Sequence, residues 1–473
     1  MSEQFGEVTS ALIEELKEVC GEKYVLYGDR EKLEDFSHDE VAEKEYHHYP
    51  ECVVKPRTAQ EVSAILKIAN RDNVPVTPRG AGSGLSGGAI PVFGGIVISA
   101  ERMDSIIEID LKNLIAVVEP GIITNDLNAE LEKHGLFFAG YPMSLESCYI
   151  GGNVAENAGG GKAIKYGVTS RYIYGLEMVL PTGEIVQFGG KCMKDVTGYD
   201  MVHLMVGSEG TLGFFTKIFV KLLPIPRFAV DLLVPFEDVQ TAMDSVVDIM
   251  TRGKIIPTAV EFMDVLSVNK TAKFLNVDIP YENAGAYLIV ELDSNDEDSL
   301  MNDYETVGEL CLEKGAIDVF VADNAPSREK LWVIRRNIAE ALKGIYPHQS
   351  LEDVVVPIAG IPEFVEKLQL IGEKYGIEIP TYGHAGDGNL HVTPIMTENV
   401  SEEEWKEKLP QVLEDIYRLA VSLGGTLSGE HGIGNKRNKY LSLALNEDVI
   451  DCMKKIKAAF DPKGIFNPGK IFE

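Results

Sequence analysis

Apolar residues recur along this chain with two periods, and the period changes from segment to segment. In "TAQEVSAILKIANRDN" (58–73), Val62, Ile65, Leu66 and Ala69 fall at helical spacing, and Thr58 and Glu61 have the separation of a capping box. A helix is predicted there. "VPVTP" and "IVIS" (96–99) are short β-prone runs on either side of a long glycine-rich stretch, "RGAGSGLSGGAIPVFGG". "GLEMVLPTGEIVQF" reads as two strands joined at Pro181-Thr182-Gly183. From about 226 the pattern alternates. "FAVDLLVPF", "AYLIVEL" and "AIDVFVA" read as strands, while "EDVQTAMDSVVDIM", "SLMNDYETVGELCLEKG" and "KLWVIRRNIAEAL" read as helices. Near the end, "YGHAGDGNLH" (382–391) sets Asp387-Gly388 between β-prone runs, the signal for a hairpin.

At 473 residues the chain exceeds one ordinary core, so two or three domains are expected. Apolar residues at 45% and charged residues at 25% are the balance of a folded soluble protein. No stretch reaches the ~20 apolar residues of a membrane span, and the acidic first residues lack the order of a signal peptide. A cytoplasmic location is expected. Forty-four basic and 74 acidic residues leave a net charge of −30, which repels nucleic acid and anionic membranes. That charge fits a basic protein partner and an ordinary acidic enzyme alike. The six cysteines are scattered without a C-x-x-C pair, which speaks against a disulfide framework or an iron–sulfur ligand set.

Residues 82–87, "GSGLSG", match G-x-G-x-x-G, but the dinucleotide fold needs a strand before that turn and a helix after it. Here Pro91 and further glycines lead to another strand, so the Rossmann reading fails. Successive glycines still let backbone N–H groups line a concave nest for pyrophosphate. A second cluster, "GGNVAENAGGGKAIKYG" (151–167), and a third, "DVTGYDMVHLMVGSEGTLG" (195–213), suggest an extended ligand gripped by backbone. In the 382–391 hairpin, six intervening residues let His384 and His391 face each other across two strands. That spacing fits a shared ligand and local hydrogen bonding equally. "SGEHGIG" then adds Glu430, and two imidazoles with a carboxylate suit Zn²⁺ or Fe²⁺.

"PRGAGSGLSGG", "GGNVAENAGGG", "DVTGYD…VGSEGTLG" and "FDPKGIFNPGK", in that order, resemble the FAD-linked oxidases of the vanillyl-alcohol-oxidase type. Within them the chain is similar to the D-lactate dehydrogenase, glycolate oxidase and D-2-hydroxyglutarate dehydrogenase branch, from about residue 45 to the end. The resemblance implies an α+β protein: a two-part FAD-binding domain, an α+β (ferredoxin-like) cap domain and a C-terminal helical segment. The expected boundaries are 1–45 for an N-terminal helical segment, 46–225 for FAD binding, 226–425 for the substrate cap, and 426–473 for the return to the flavin site. By resemblance Arg79, Gly80, Gly82, Ser83, Gly84 and Gly87 contact the FAD pyrophosphate. Gly151, Gly152, Asn153 and Ala158 approach the flavin and ribityl chain, and Asn467 sits near the flavin domain. Some relatives tether flavin through a histidine beside the first loop. No histidine lies between residues 49 and 133, so noncovalent FAD is expected.

In that branch the "GH…GNLH" pair and the glutamate of "EHG" hold a divalent metal, which maps to His384, His391 and Glu430; Zn²⁺, Fe²⁺ and Mn²⁺ all accept the set. Oxidising a 2-hydroxy acid removes a hydroxyl proton and sends the Cα hydrogen, as hydride, to flavin N5. A chelated cation lowers the hydroxyl pKa. His431 is the candidate base, or else a histidine that orients Glu430. The substrate carboxylate needs a cation, and the family's "LW…R" helix maps it to Arg335, the alternative being a solvated pair Arg335–Arg336. Family members that use dicarboxylates carry a further basic residue shortly before "DVVVP", whereas this chain has "HQSLEDVVVP". The expected reaction is D-lactate to pyruvate, with glycolate or D-2-hydroxyglutarate as alternatives. Electrons would pass to a protein acceptor: an electron-transfer flavoprotein, as in electron-bifurcating lactate dehydrogenase complexes, or less favourably an iron–sulfur subunit. A flavin-free metal hydrolase leaves the three glycine segments unexplained. An electron carrier without substrate leaves the ligand set and arginine unexplained.

Overall fold

The computed structural model describes residues 5–41 and 46–472. Residues 1–4, 42–45 and 473, and with them the expected boundary at 45, lie outside the described residues. The chain divides into two compact units, one made of the residues up to Gly159 with Val168–Ile225 and the stretch from Glu430, the other of Gly160–Gly167 and Pro226–Gly429.

Among the described residues the first unit holds a four-stranded sheet, a five-stranded sheet and a short antiparallel pair, Leu136–Phe137 with Leu223–Pro224. The four-stranded sheet has the order Val25–Tyr27, Cys52–Val54, Ile96–Ser99, Val76–Arg79, with its last three strands parallel. The predicted helix spans Ala59–Asp72, with Thr58 accepting from the Glu61 N–H. Its stripe Val62, Ile65, Leu66 and Ala69 is fully buried, each large side chain contributing about 1.5–3 kcal/mol. Helix Ser10–Cys20 joins the same core through Leu12, Ile13 and Leu16. Between Val76–Arg79 and Ile96–Ser99 the crossover is the glycine stretch itself, with no helix. The second sheet is antiparallel, in the order Ile106–Asp110, Ile115–Val118, Phe214–Lys221, Ile173–Val179, Ile185–Gly189; its final pair is the hairpin predicted around Pro181. The C-terminal stretch, after helix Glu447–Phe460, returns to the first sheet, where Val76 and Phe466 form a parallel bridge.

Two expectations change. Residues 151–167 do not form one loop. Ile150–Glu156 is a short helix, capped by Asn157 in the left-handed conformation; the glycines tolerate it because Gly151 packs closely on Pro120. Gly160–Gly167, expected with the FAD-binding part, belongs to the second unit. There Lys162 pairs with Glu291, and Lys165 and Tyr166 both bond Asp293.

The second unit is built on a seven-stranded antiparallel sheet, ordered Phe320–Ala322, Phe228–Phe236, Ala286–Ser294, Ala259–Asp264, Thr381–His384, Asn389–Val392, Glu352–Val355. Tyr287, Ile289, Trp332, Ile338 and Leu342 form part of its core. Among the described residues, no helix is long and apolar enough to cross a membrane.

Candidate functional site

Four separated motifs converge in the first unit. A β-carbon placed on Gly80 would lie 3.7 Å from the Cα of Gly152, so the first glycine stretch and the 150–156 helix touch. Asn467, from the C-terminal stretch, donates through Nδ2 to the carbonyls of Gly88 (3.1 Å) and Glu209 (3.0 Å), joining the first and third glycine clusters. Gly82 and Gly87 take φ of +77° and +76°, a conformation open to glycine at no steric cost. Asn153 is buried and donates to Thr124 (2.8 Å), and the buried Ala158 donates its N–H to the Asn153 carbonyl (2.9 Å). Ser83 is half-buried and Gly84 exposed. Arg79 directs Nη1 and Nη2 to the carbonyls of His38 and Asp35 at 2.8 and 2.7 Å, so those donors shape the loop. A cavity of 330 Å³ opens beside it, lined by Phe36, Arg79, Gly80, Ala81, Ser99 and Tyr149.

This unit also buries polar atoms that have no hydrogen-bond partner among the described residues: Ser86 Oγ, Ser208 Oγ, Glu156 Oε2 and Asn467 Oδ1. Buried polar atoms are normally paired, so this set fits a polar group held by the loops. Burial pushes the Glu156 carboxyl well above its ordinary range, and the neighbouring Glu209 charge adds to that. Burial lowers Lys470 to about 7.

The second unit carries three of the predicted residues, His384 and His391 on the predicted hairpin, Thr381–His384 with Asn389–Val392, and Arg335; Glu430 and His431 belong to the first unit. His384 pairs with Asn389 and His391 with Tyr382, so the two histidines are not directly opposed, as their spacing had suggested. They are diagonal neighbours on one face, their rings meeting edge-on with centroids 5.3 Å apart. Both are buried.

Arg335 lies on helix Ala325–Ile345, which a reciprocal Asn324–Ser327 cap starts. Arg328 Nε and Trp332 Nε1 both donate to Asp231 Oδ2, at 2.9 and 2.8 Å, and lock the helix onto the sheet. One turn on, Arg335 is 4% exposed and donates from Nε to Glu261 Oε2 at 2.6 Å. Its Nη2 is buried without a hydrogen-bond partner among the described residues. Arg336, the other candidate, has a half-exposed side chain and pairs with Glu329. His384 Nδ1 lies 2.7 Å from Glu261 Oε1. Burial opposes ionising Glu261, but Arg335 and His384 outweigh it and hold the carboxyl below its usual range. A carboxylate only accepts, so Nδ1 of His384 is the protonated nitrogen.

Asp353 is fully buried on the neighbouring strand. Its carboxylate accepts from Asn389 Nδ2 (2.6 Å), Ser428 Oγ (2.7 Å) and the Gly429 N–H (2.9 Å), and Oδ1 lies 3.9 Å from His391 Nδ1. Glu430 follows Gly429 by one peptide bond. His431 Nε2 lies 3.7 Å from Glu430 Oε1. Glu261, Asp353 and Asn389 escaped sequence reasoning. For Glu261 and Asp353 the available signal was a charge inside an apolar strand, in "AVEFMD" and "LEDVVVP".

Residues 50–189 match the family described as FAD binding domain, and residues 225–471 match FAD linked oxidases, C-terminal domain. The chain is 41% identical to the glycolate oxidase subunit GlcD of Bacillus subtilis, over 92% of each chain. It is 39% identical to a D-lactate dehydrogenase of Anaerostipes hadrus, over 100% of this chain and 99% of that one. Among solved structures, p-cresol methylhydroxylase superposes with a TM-score of 0.80 at 17% identity, covering 98% of this chain and 96% of that one. 4-Ethylphenol oxidase from Gulosibacter chungangensis gives 0.79 at 18%, covering 99% and 98%. The fold is therefore theirs; the FAD binding domain match falls in the first unit except for Gly160–Gly167, and the C-terminal match covers residues 226–429 of the second unit and 430–471 of the first. This chain belongs to the FAD-linked oxidase family and is an FAD-dependent oxidoreductase.

Proposed function

We propose that the chain oxidises a small D-2-hydroxy acid, D-lactate, to the 2-oxo acid pyruvate. The observation that supports this most is the buried grouping on the second unit: Arg335 and His384 on one carboxylate, with His391 5.3 Å away. A cation beside two imidazoles matches what a 2-hydroxy carboxylate asks of its site. When bound, noncovalent FAD accepts the two electrons of the substrate Cα–H bond, and a divalent ion (Zn²⁺, Fe²⁺ or Mn²⁺) acidifies the substrate hydroxyl. His384, His391 and Glu430 are the residues that would hold the ion; their N/O donor chemistry fits such a cation. The open Nη2 of Arg335 is offered to the substrate carboxylate. His431, beside Glu430, takes the hydroxyl proton on its imidazole.

Substrate size is read from charge. Between His348 and Pro357 there is no lysine or arginine, and Glu352 and Asp353 are buried there, which disfavours a second carboxylate such as that of D-2-hydroxyglutarate. The relative named D-lactate dehydrogenase in Anaerostipes hadrus spans the whole chain. Glycolate, lacking only a methyl group, is the alternative that the GlcD relative favours. The electrons pass to a protein acceptor, an electron-transfer flavoprotein in preference to an iron–sulfur subunit. The free cysteines accord with a reducing, cytoplasmic setting. Product analysis tests the reading: with D-lactate and an artificial dye, the holoenzyme forms pyruvate, and a chelator stops it. Pyruvate formation from L-lactate alone, or none from any 2-hydroxy acid, would overturn it.

A further inference from the structure

Glu261 is a carboxylate with no solvent exposure, on strand Ala259–Asp264 in the middle of the sheet. A buried charge there is costly unless its partners match it. Its partners are two functional side chains from different elements: Oε1 meets His384 Nδ1 at 2.7 Å and Oε2 meets Arg335 Nε at 2.6 Å. The strand register places Glu261 directly opposite His384. Space around it is closed. A β-carbon on Gly161 would lie 2.2 Å from Glu261 Oε1 and 3.4 Å from His384 Nδ1, so a side chain at that position would displace the carboxylate end.

We infer that Glu261 is a positioning residue that sets the metal-ligating histidine and the substrate-binding arginine together. The inference rests on the function proposed above and goes beyond its ligand and arginine assignments. By accepting the Nδ1 proton, Glu261 fixes the His384 tautomer that carries its lone pair on Nε2, and it holds the ring plane. By accepting from Nε, it fixes the Arg335 fork so that Nη2 stays open for a carboxylate. One side chain therefore governs both metal affinity and substrate affinity. Partners of this kind on a ligating histidine are typically worth about 10–100-fold in metal affinity.

The test uses the full-length flavoprotein and Co²⁺ as the probe. Glu261→Gln keeps the shape but has one oxygen and one NH₂ group, so it can accept from His384 or from Arg335 and not from both. The expected result is at least a tenfold larger Co²⁺ dissociation constant and a shifted cobalt visible band. KM for D-lactate should rise at least tenfold, with flavin content unchanged. Gly161→Ala supplies the second variant, since it retains the carboxylate but pushes it off His384; Co²⁺ affinity should again fall. Should Glu261→Gln fail to fold, Gly161→Ala decides alone. Wild-type Co²⁺ affinity and KM in the folded variants would overturn the role of Glu261. A wild-type protein that binds no Co²⁺ and is not reduced by D-lactate would instead overturn the underlying function.

Discussion

Replacing Gly383 by alanine should disable the histidine hairpin without touching a ligand. Gly383 sits beside His384 with φ of +153°, and an added β-carbon would lie 2.4 Å from the Asn389 carbonyl oxygen, 2.8 Å from Leu390 Cα and 3.1 Å from His391 N. All three are backbone atoms of the partner strand, so no side chain can swing away. Restoring ordinary contact distance requires the strands to part by roughly 1 Å. The overpacking costs about 1–3 kcal/mol, and the unfavourable φ adds about 1–3 kcal/mol. The combined loss, about 2–6 kcal/mol, would lower the melting temperature of a unit this size by roughly 4–24 °C. The same displacement separates His384 from His391, and metal sites tolerate only about 0.2 Å in ligand position. Thermal melting and a Mn²⁺ titration of the purified flavoprotein read both effects. Wild-type melting together with wild-type Mn²⁺ affinity would refute the close strand packing on which the reasoning depends.

Arg335→Lys cannot both bond Glu261 and present a second N–H in the guanidinium plane. Losing a charge-assisted hydrogen bond worth about 1.5–3 kcal/mol should raise KM for D-lactate roughly 10–100-fold, with kcat less affected, in steady-state assays. Asn467→Ala removes the two bonds to Gly88 and Glu209; flavin retained through gel filtration should fall, and full retention would count against the convergence of the glycine segments. Asp264 gives a pH signature. Burial lifts its carboxyl to about 6 from 3.8, despite the N–H groups of Ser267 and Thr381. Between those values the folded chain holds a proton that the unfolded chain has released, so this group's contribution to stability falls as pH rises. The full loss is roughly 3 kcal/mol at 1.36 kcal/mol per unit. Melting curves from pH 4 to 7 should show this slope in the wild type and lack it in Asp264→Asn.

Much of this was legible in the sequence where local pattern decides structure. The stripe of helix Ala59–Asp72 and the turn at Pro181 follow from periodicity and turn chemistry, and the strand–glycine–strand order excluded a Rossmann loop correctly. Local pattern misled at Ile150–Glu156, where two glycines argue against a helix and packing against Pro120 overrides them. The hairpin was legible but not its register: His384 pairs with Asn389 and not with His391, a two-residue difference that keeps both histidines on one face. Arg335 and Arg336 could not be separated by helical spacing alone; burial separates them. Glu261 and Asp353 were hidden for a related reason. An acidic residue in a strand reads as a solvent-facing position until the neighbouring strands and helices are in place around it.

Anaerobic reduction of the bound flavin tests the central claim most directly. The purified holoenzyme would be mixed in turn with D-lactate, L-lactate, glycolate and D-2-hydroxyglutarate while its visible spectrum is recorded. Loss of the flavin bands with D-lactate, and retention with L-lactate and the dicarboxylate, is the predicted result. Bleaching by D-2-hydroxyglutarate in preference to D-lactate would contradict the substrate assignment. A flavin that none of the four reduces, with divalent metal supplied, would contradict the hydroxy-acid chemistry itself.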